Sequence, residues 1–125
     1  MKNDGFTLRK RIRSFRYAGR GIADLFREDN ARIHAAAAIL AAIFGLWLGL
    51  TPTEWAVIAL TIGAVLAAEA VNTAIESLSD LVSPGYDEHI RRAKDLAAGA
   101  VLLLAVAAVA VGLFIFLPKL ILRLA

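Results

Sequence analysis

The sequence predicts an all-α integral membrane protein: an amphipathic helix on the membrane surface, followed by three transmembrane helices. Three observations carry that expectation. Of the 125 residues, 59% are hydrophobic, and they gather in long blocks. A soluble domain of this length rarely concentrates so much apolar sequence. Each block is long enough, at about 1.5 Å rise per residue, to cross bilayer hydrocarbon. Charge is segregated as well: the net charge is +3, and nine of the fourteen Lys and Arg residues precede residue 33. The length suits one domain over residues 1–125.

The surface helix is expected over about residues 8–30. Leu8, Ile12, Phe15, Ile22, Leu25 and Phe26 recur near helical spacing, and Arg9, Arg13, Arg16, Arg20 and Arg27 fill much of the remainder. Such a helix lies on a membrane with its cations drawn to anionic lipid. A basic helix that only anchors the protein fits the same pattern. Nucleic-acid binding does not, because the basic segment abuts a span and has no fold of its own. These charged residues also do not read as a secretory signal.

The first span is expected over about 33–50. "TPTE" (51–54) breaks it, with Pro52 favouring a turn or a fresh helix start. The second span covers about 55–79, apolar at first and striped with polar groups later. "SPGYDE" (83–88) is the next break, and the third span, about 96–117, carries no charge and ends at Pro118. Arg91, Arg92 and Lys94 lie between spans two and three, and the 51–54 loop has no Lys or Arg. The positive-inside rule then puts the N-terminus and the 80–95 loop in the cytoplasm and the C-terminus outside. There is no cysteine, which excludes disulfides and thiolate metal sites.

The second span poses a chemical question. Glu69, Asn72, Glu76 and Asp80 share one helical face, opposite Val71 and Leu78. A carboxylate in hydrocarbon costs about 3 kcal/mol or more, so that face needs a protein interior or a cleft. Asp80 falls at the cytoplasmic boundary and Glu69 about 16 Å deeper along the axis. Lys94 and Asp95 open the third span at the level of Asp80. The small residues Ala97, Ala98, Gly99 and Ala100 face the matching set Gly63, Ala64, Ala67 and Ala68, so a tight helix pair brings the polar clusters together. Glu28 and Asp29 add carboxylates at a similar height.

Two readings stay open on the residues alone. Hard oxygens beside Asn and Lys, without a His or Cys cluster, suit magnesium and phosphate, and a deeper base suits a hydroxyl arriving from lipid. The same groups could instead hydrogen-bond between helices and fix an oligomer. No Gly-rich P-loop or kinase signature is present.

"EAVNTAIESLSD" (69–80) followed by "RRAKDLAAGAVLL" (91–103) closely resembles the prokaryotic diacylglycerol kinase family of small three-span membrane enzymes. The resemblance extends over nearly the whole chain. "SFRYAGRGI" and "RIHAAAA" look more like the Gram-positive branch, whose members phosphorylate undecaprenol, than the diacylglycerol branch. It implies a homotrimer with sites composed between protomers, ATP as donor, Mg2+, and a lipid alcohol acceptor. By position, Glu69 is implied as base for the lipid hydroxyl, and Glu76 as metal and nucleotide ligand with Asn72 beside it. Lys94 and Asp95 match the nucleotide-binding pair, Tyr86 and Asp87 lie where nucleotide is contacted, and Tyr17 is a further contact. Between "RGI" and "RIH" the chain is one residue shorter than related sequences. Counting back from "RIH" makes Glu28 the second metal ligand; counting forward from "RGI" makes it Asp29. Glu28 is preferred. The rival of another class is a non-enzymatic holin-like or scaffold membrane protein.

Six residues outside the stripe carry simpler expectations. His34 reads as an interfacial hydrogen-bonding residue rather than a ligand. Gly45 and Gly49 permit close helix packing, Trp47 and Trp55 are interface anchors, and Glu54 is solvated.

Overall fold

The computed structural model describes residues 5–125; Lys2, one of the basic N-terminal residues, lies outside them. Four helices follow in order: α1 (Leu8–Leu25), α2 (Asp29–Leu48), α3 (Pro52–Val82) and α4 (Glu88–Leu124). By length and composition α2, α3 and α4 can each cross a membrane. The chain is an all-helical integral membrane protein. Its surface agrees: Leu60, Leu102, Leu103 and Phe114 are exposed, whereas the buried apolar side chains are few and include Leu25, Ile58, Val65 and Ala97. In lipid there is no hydrophobic drive to hide such residues between helices.

Helix ends follow from local chemistry. Thr7 caps α1, its hydroxyl accepting from the Lys10 amide. The helix stops at Leu25, five residues short of the expected end, and α2 begins at Asp29, four residues before the expected start. The turn between them is held from outside: Arg32 Nε donates to the Phe26 carbonyl at 2.9 Å. Asp29 then sits in the first turn of α2, where negative charge complements the helix dipole. A charged stretch read as helix is therefore a turn plus a helix start.

The α2–α3 hairpin is the most tightly specified corner. Gly49 closes α2 in the left-handed conformation at φ 73°, and Thr51 opens α3 with a capping box in which Glu54 reaches back to the Thr51 amide. Pro52 takes the first helical turn, as expected. Glu54 is not simply solvated. It also pairs with Lys119 Nζ at 3.0 Å, tying the far end of α4 to the start of α3. Of the two glycines, only Gly45 gives close packing; a Cβ there would stand 2.6 Å from Trp55 Cη2. Trp55 thus fills the hairpin rather than acting only as an anchor. Gly45→Ala is expected to lower stability by roughly 1–3 kcal/mol through overpacking, read as an earlier midpoint in a denaturing-detergent titration.

Pro118 does not end the helix of the third span. α4 runs through it to Leu124. Proline removes one backbone hydrogen bond, a cost membrane helices absorb through neighbouring contacts. Beyond the proline the helix end is held by the Lys119–Glu54 pair and by the Arg123 guanidinium, 4.8 Å from the centre of the Trp47 ring. Between α3 and α4, the most extensive helix pair, Ala97 is buried as the small-residue reading requires. Gly63 and Gly99 do not contribute in this way, because a Cβ on either would meet open space within one chain.

Candidate active site

The polar stripe of α3 is the site's spine. Glu69 and Asn72 are 2% and 7% exposed, and Ser79 is buried beside them. Asn72 Nδ2 donates to Glu76 Oε1 at 3.1 Å, the i to i+4 reach of one helix turn. The other amide atom, Asn72 Oδ1, is buried and has no donor. Such an orphan acceptor is costly and marks a place for a ligand or water. Glu69 has its own neighbour across the helix boundary: His34 Nε2 on α2 stands 3.3 Å from Glu69 Oε1.

Near the α3–α4 turn the stripe meets α4. Lys94 Nζ donates to Asp80 Oδ1 at 2.9 Å, so the two polar clusters do face each other. Residues 86–95 precede the charge-free stretch of α4 and stand outside the apolar span. There the hydrogen bond and charge of Asp80 hold the Lys94 ammonium above its usual range, and the Glu76 charge adds to this. Arg91 donates to Glu88 and to Asp95, the latter at 2.6 Å. Hydrogen bonds from Arg91 and then from Tyr86 hold the Glu88 carboxyl below the usual carboxylate range. Asp87 accepts from the amides of His89 and Ile90, capping α4.

These groups border one open cleft of about 280 Å³, in which Asp80, Tyr86, Asp87, Lys94 and Asp95 converge. Four of the expected nucleotide residues are therefore gathered in one place. Asn72, Glu76, Tyr17 and Glu28 do not line it. Tyr17 stands exposed on α1 with Arg20 over its ring. Glu28 precedes α2 at its cap position without using its side chain for capping. Among the described residues no three His, Cys, Asp or Glu side chains gather as a metal cage.

The donor chemistry still fits magnesium. The available groups are hard oxygens, Glu76 is steadied by Asn72, and the orphaned Asn72 Oδ1 lies beside it. An ion held by one or two carboxylates and completed by phosphate oxygens needs no protein cage.

Comparison with known proteins gives the family. The family model described as prokaryotic diacylglycerol kinase matches residues 16–116. The chain belongs to that family. Among similar proteins, the undecaprenol kinase of Bacillus subtilis is 45% identical over 90% of this chain and 93% of its own. The diacylglycerol kinase of Synechocystis sp. is also 45% identical, over 86% of this chain but 62% of its own length. The diacylglycerol kinase of Escherichia coli (strain K12) is 30% identical over 84% and 85%. As a member of the prokaryotic diacylglycerol kinase family the protein is a lipid kinase, and the pore-forming or scaffold alternative falls.

Sequence reasoning missed two features of the candidate site. Arg91 bridges Glu88 and Asp95 at helical spacings of three and four, and that spacing could have been read directly. The His34–Glu69 contact had no local signal, since it joins residues on different helices.

Proposed function

We propose that the protein phosphorylates the hydroxyl of undecaprenol, using ATP and Mg2+, as a homotrimer in the bacterial cytoplasmic membrane. The observation that carries the chemistry is the single face of α3 leading from buried Glu69, through Asn72 and Glu76, to the Lys94–Asp80 cleft. Glu69 accepts the hydroxyl proton as the lipid oxygen attacks the γ-phosphorus, and the bond to the bridging oxygen of ADP breaks. Asn72 orients Glu76, and Glu76 with Glu28 holds the ion. What that ion supplies when bound is neutralisation of phosphate charge. Lys94, Asp95, Tyr86 and Asp87 hold the nucleotide in the cleft, and Tyr17 adds a contact. Tyr17 and Glu28 stand apart from the cleft within one chain, which supports sites composed between protomers.

The N-terminus and residues 80–95 face the cytoplasm, the C-terminus faces outside, and α1 lies on the membrane surface. The cationic residues before residue 33 and the exposed Leu8, Ile12 and Phe15 support that placement. The acceptor reading rests on the likeness to the Bacillus undecaprenol kinase along almost the full length of both chains. Equal identity to the Synechocystis diacylglycerol kinase favours a second acceptor. Apolar contacts discriminate weakly, at about 1–3 kcal/mol per methylene difference. Undecaprenol is therefore expected to be preferred, with diacylglycerol phosphorylated more slowly. The test is competition: both lipids in equal amounts in one micelle, labelled ATP, and separation of products. Predominant phosphatidic acid overturns the undecaprenol preference.

A further inference from the structure

We propose that His34 is the positioning residue for Glu69, holding one carboxylate oxygen so that the other takes the proton of the acceptor hydroxyl. The inference rests on the reading of Glu69 as the base and goes beyond it by assigning the group that aims it. Glu69 is almost wholly enclosed, with a side chain only 3% exposed, and His34 is its ion-pair partner among the described residues. The contact, at 3.3 Å, is an ion pair when the imidazole is protonated and a polar contact otherwise. An enclosed carboxylate without such a neighbour carries an uncompensated desolvation cost.

A second observation places His34 where the acceptor arrives. Between α2, α3 and α4 runs an apolar groove of about 280 Å³, bordered by Ala37, Ala38, Val65 and Ala105, with His34 at its margin. The other polar side chain on that border, Thr61, already donates to the Val57 carbonyl at 2.7 Å. Thr61 has spent its donor there, and of the two polar side chains His34 is the one that touches Glu69. A hydroxyl at the end of an apolar chain in this groove meets the imidazole, with the Glu69 carboxylate 3.3 Å beyond it. Losing the imidazole frees the Glu69 side chain to turn, and a misplacement near 1 Å costs about 100-fold in rate.

The experiment compares His34→Leu and His34→Gln in the purified full-length protein, in detergent micelles with undecaprenol, and repeats His34→Leu in the Glu69→Gln background. His34→Leu is expected to lower kcat by about 10- to 100-fold with the KM for ATP unchanged. His34→Gln, which keeps a nitrogen donor at similar reach, restores most of it. In the Glu69→Gln background His34→Leu adds no further loss, because the group it aims is gone. Normal kcat in His34→Leu overturns the proposal. So does a loss that His34→Gln does not restore and that comes with a raised KM for ATP, the signature of a merely structural role. Normal turnover in Glu69→Gln itself is a different failure, that of the base assignment.

Discussion

Glu69→Gln is expected to abolish most turnover, by about 10²- to 10⁴-fold in kcat, the range for removing a general base. The substitution keeps side-chain length and shape, so the contact with α2 near His34 survives while the proton acceptor does not. Folding is not at risk from the change itself. Glu69 is 2% exposed within a span, and replacing a carboxylate there by a neutral amide lowers the desolvation cost. The proposed nucleotide cleft lies elsewhere, bordered by Asp80, Lys94 and Asp95. The KM for ATP should therefore stay close to that of the parent, the pattern of an interaction used only in the transition state. Steady-state kinetics with saturating lipid check both parameters, and sedimentation in detergent checks assembly. Turnover close to the parent value would remove Glu69 from the catalytic role.

The contrast between Glu69 and its neighbours shows what a sequence can carry. The α3 stripe was legible because helical periodicity alone puts Glu69, Asn72, Glu76 and Asp80 on one face, and the Asn72–Glu76 bond is a consequence of that spacing. The Asp80–Lys94 pair was legible for a second reason: the turn of 83–87 folds α4 back on α3 with the two residues at one level. Helix ends were less legible. The turn at Phe26 depends on Arg32 donating from the next helix, and the passage of α4 through Pro118 accompanies the Lys119–Glu54 pair. Each involves a partner beyond the local window. His34 illustrates the limit, since nothing around "RIH" specifies contact with a residue on α3. The same applies to Glu54, whose capping role follows from Thr51 at spacing three but whose ion pair with Lys119 does not.

Glu76→Gln and Glu28→Gln are expected to act on the metal and nucleotide rather than on the proton. Each removes a negative oxygen from the proposed magnesium site, and the need for magnesium should rise by at least about 10-fold, partly rescued by excess ion. In Glu76→Gln the amide oxygen can still accept from Asn72 Nδ2, and Lys94 keeps its pair with Asp80. The local frame persists while the ligand charge is lost. Glu28 and Asp29 differ in how committed they already are. Glu28 stands at the cap position of α2 with its carboxylate unused for capping, whereas Asp29 occupies the first helical turn, where its charge meets the dipole. That difference favours Glu28 as the second ligand and gives Asp29→Asn a helix-end effect of only about 0.3–1 kcal/mol. Activity titrated against magnesium at fixed ATP separates the two: Glu28→Gln should shift the curve strongly and Asp29→Asn hardly at all. The opposite pattern would move the ligand one residue along the chain and set the short segment between "RGI" and "RIH" in the other register.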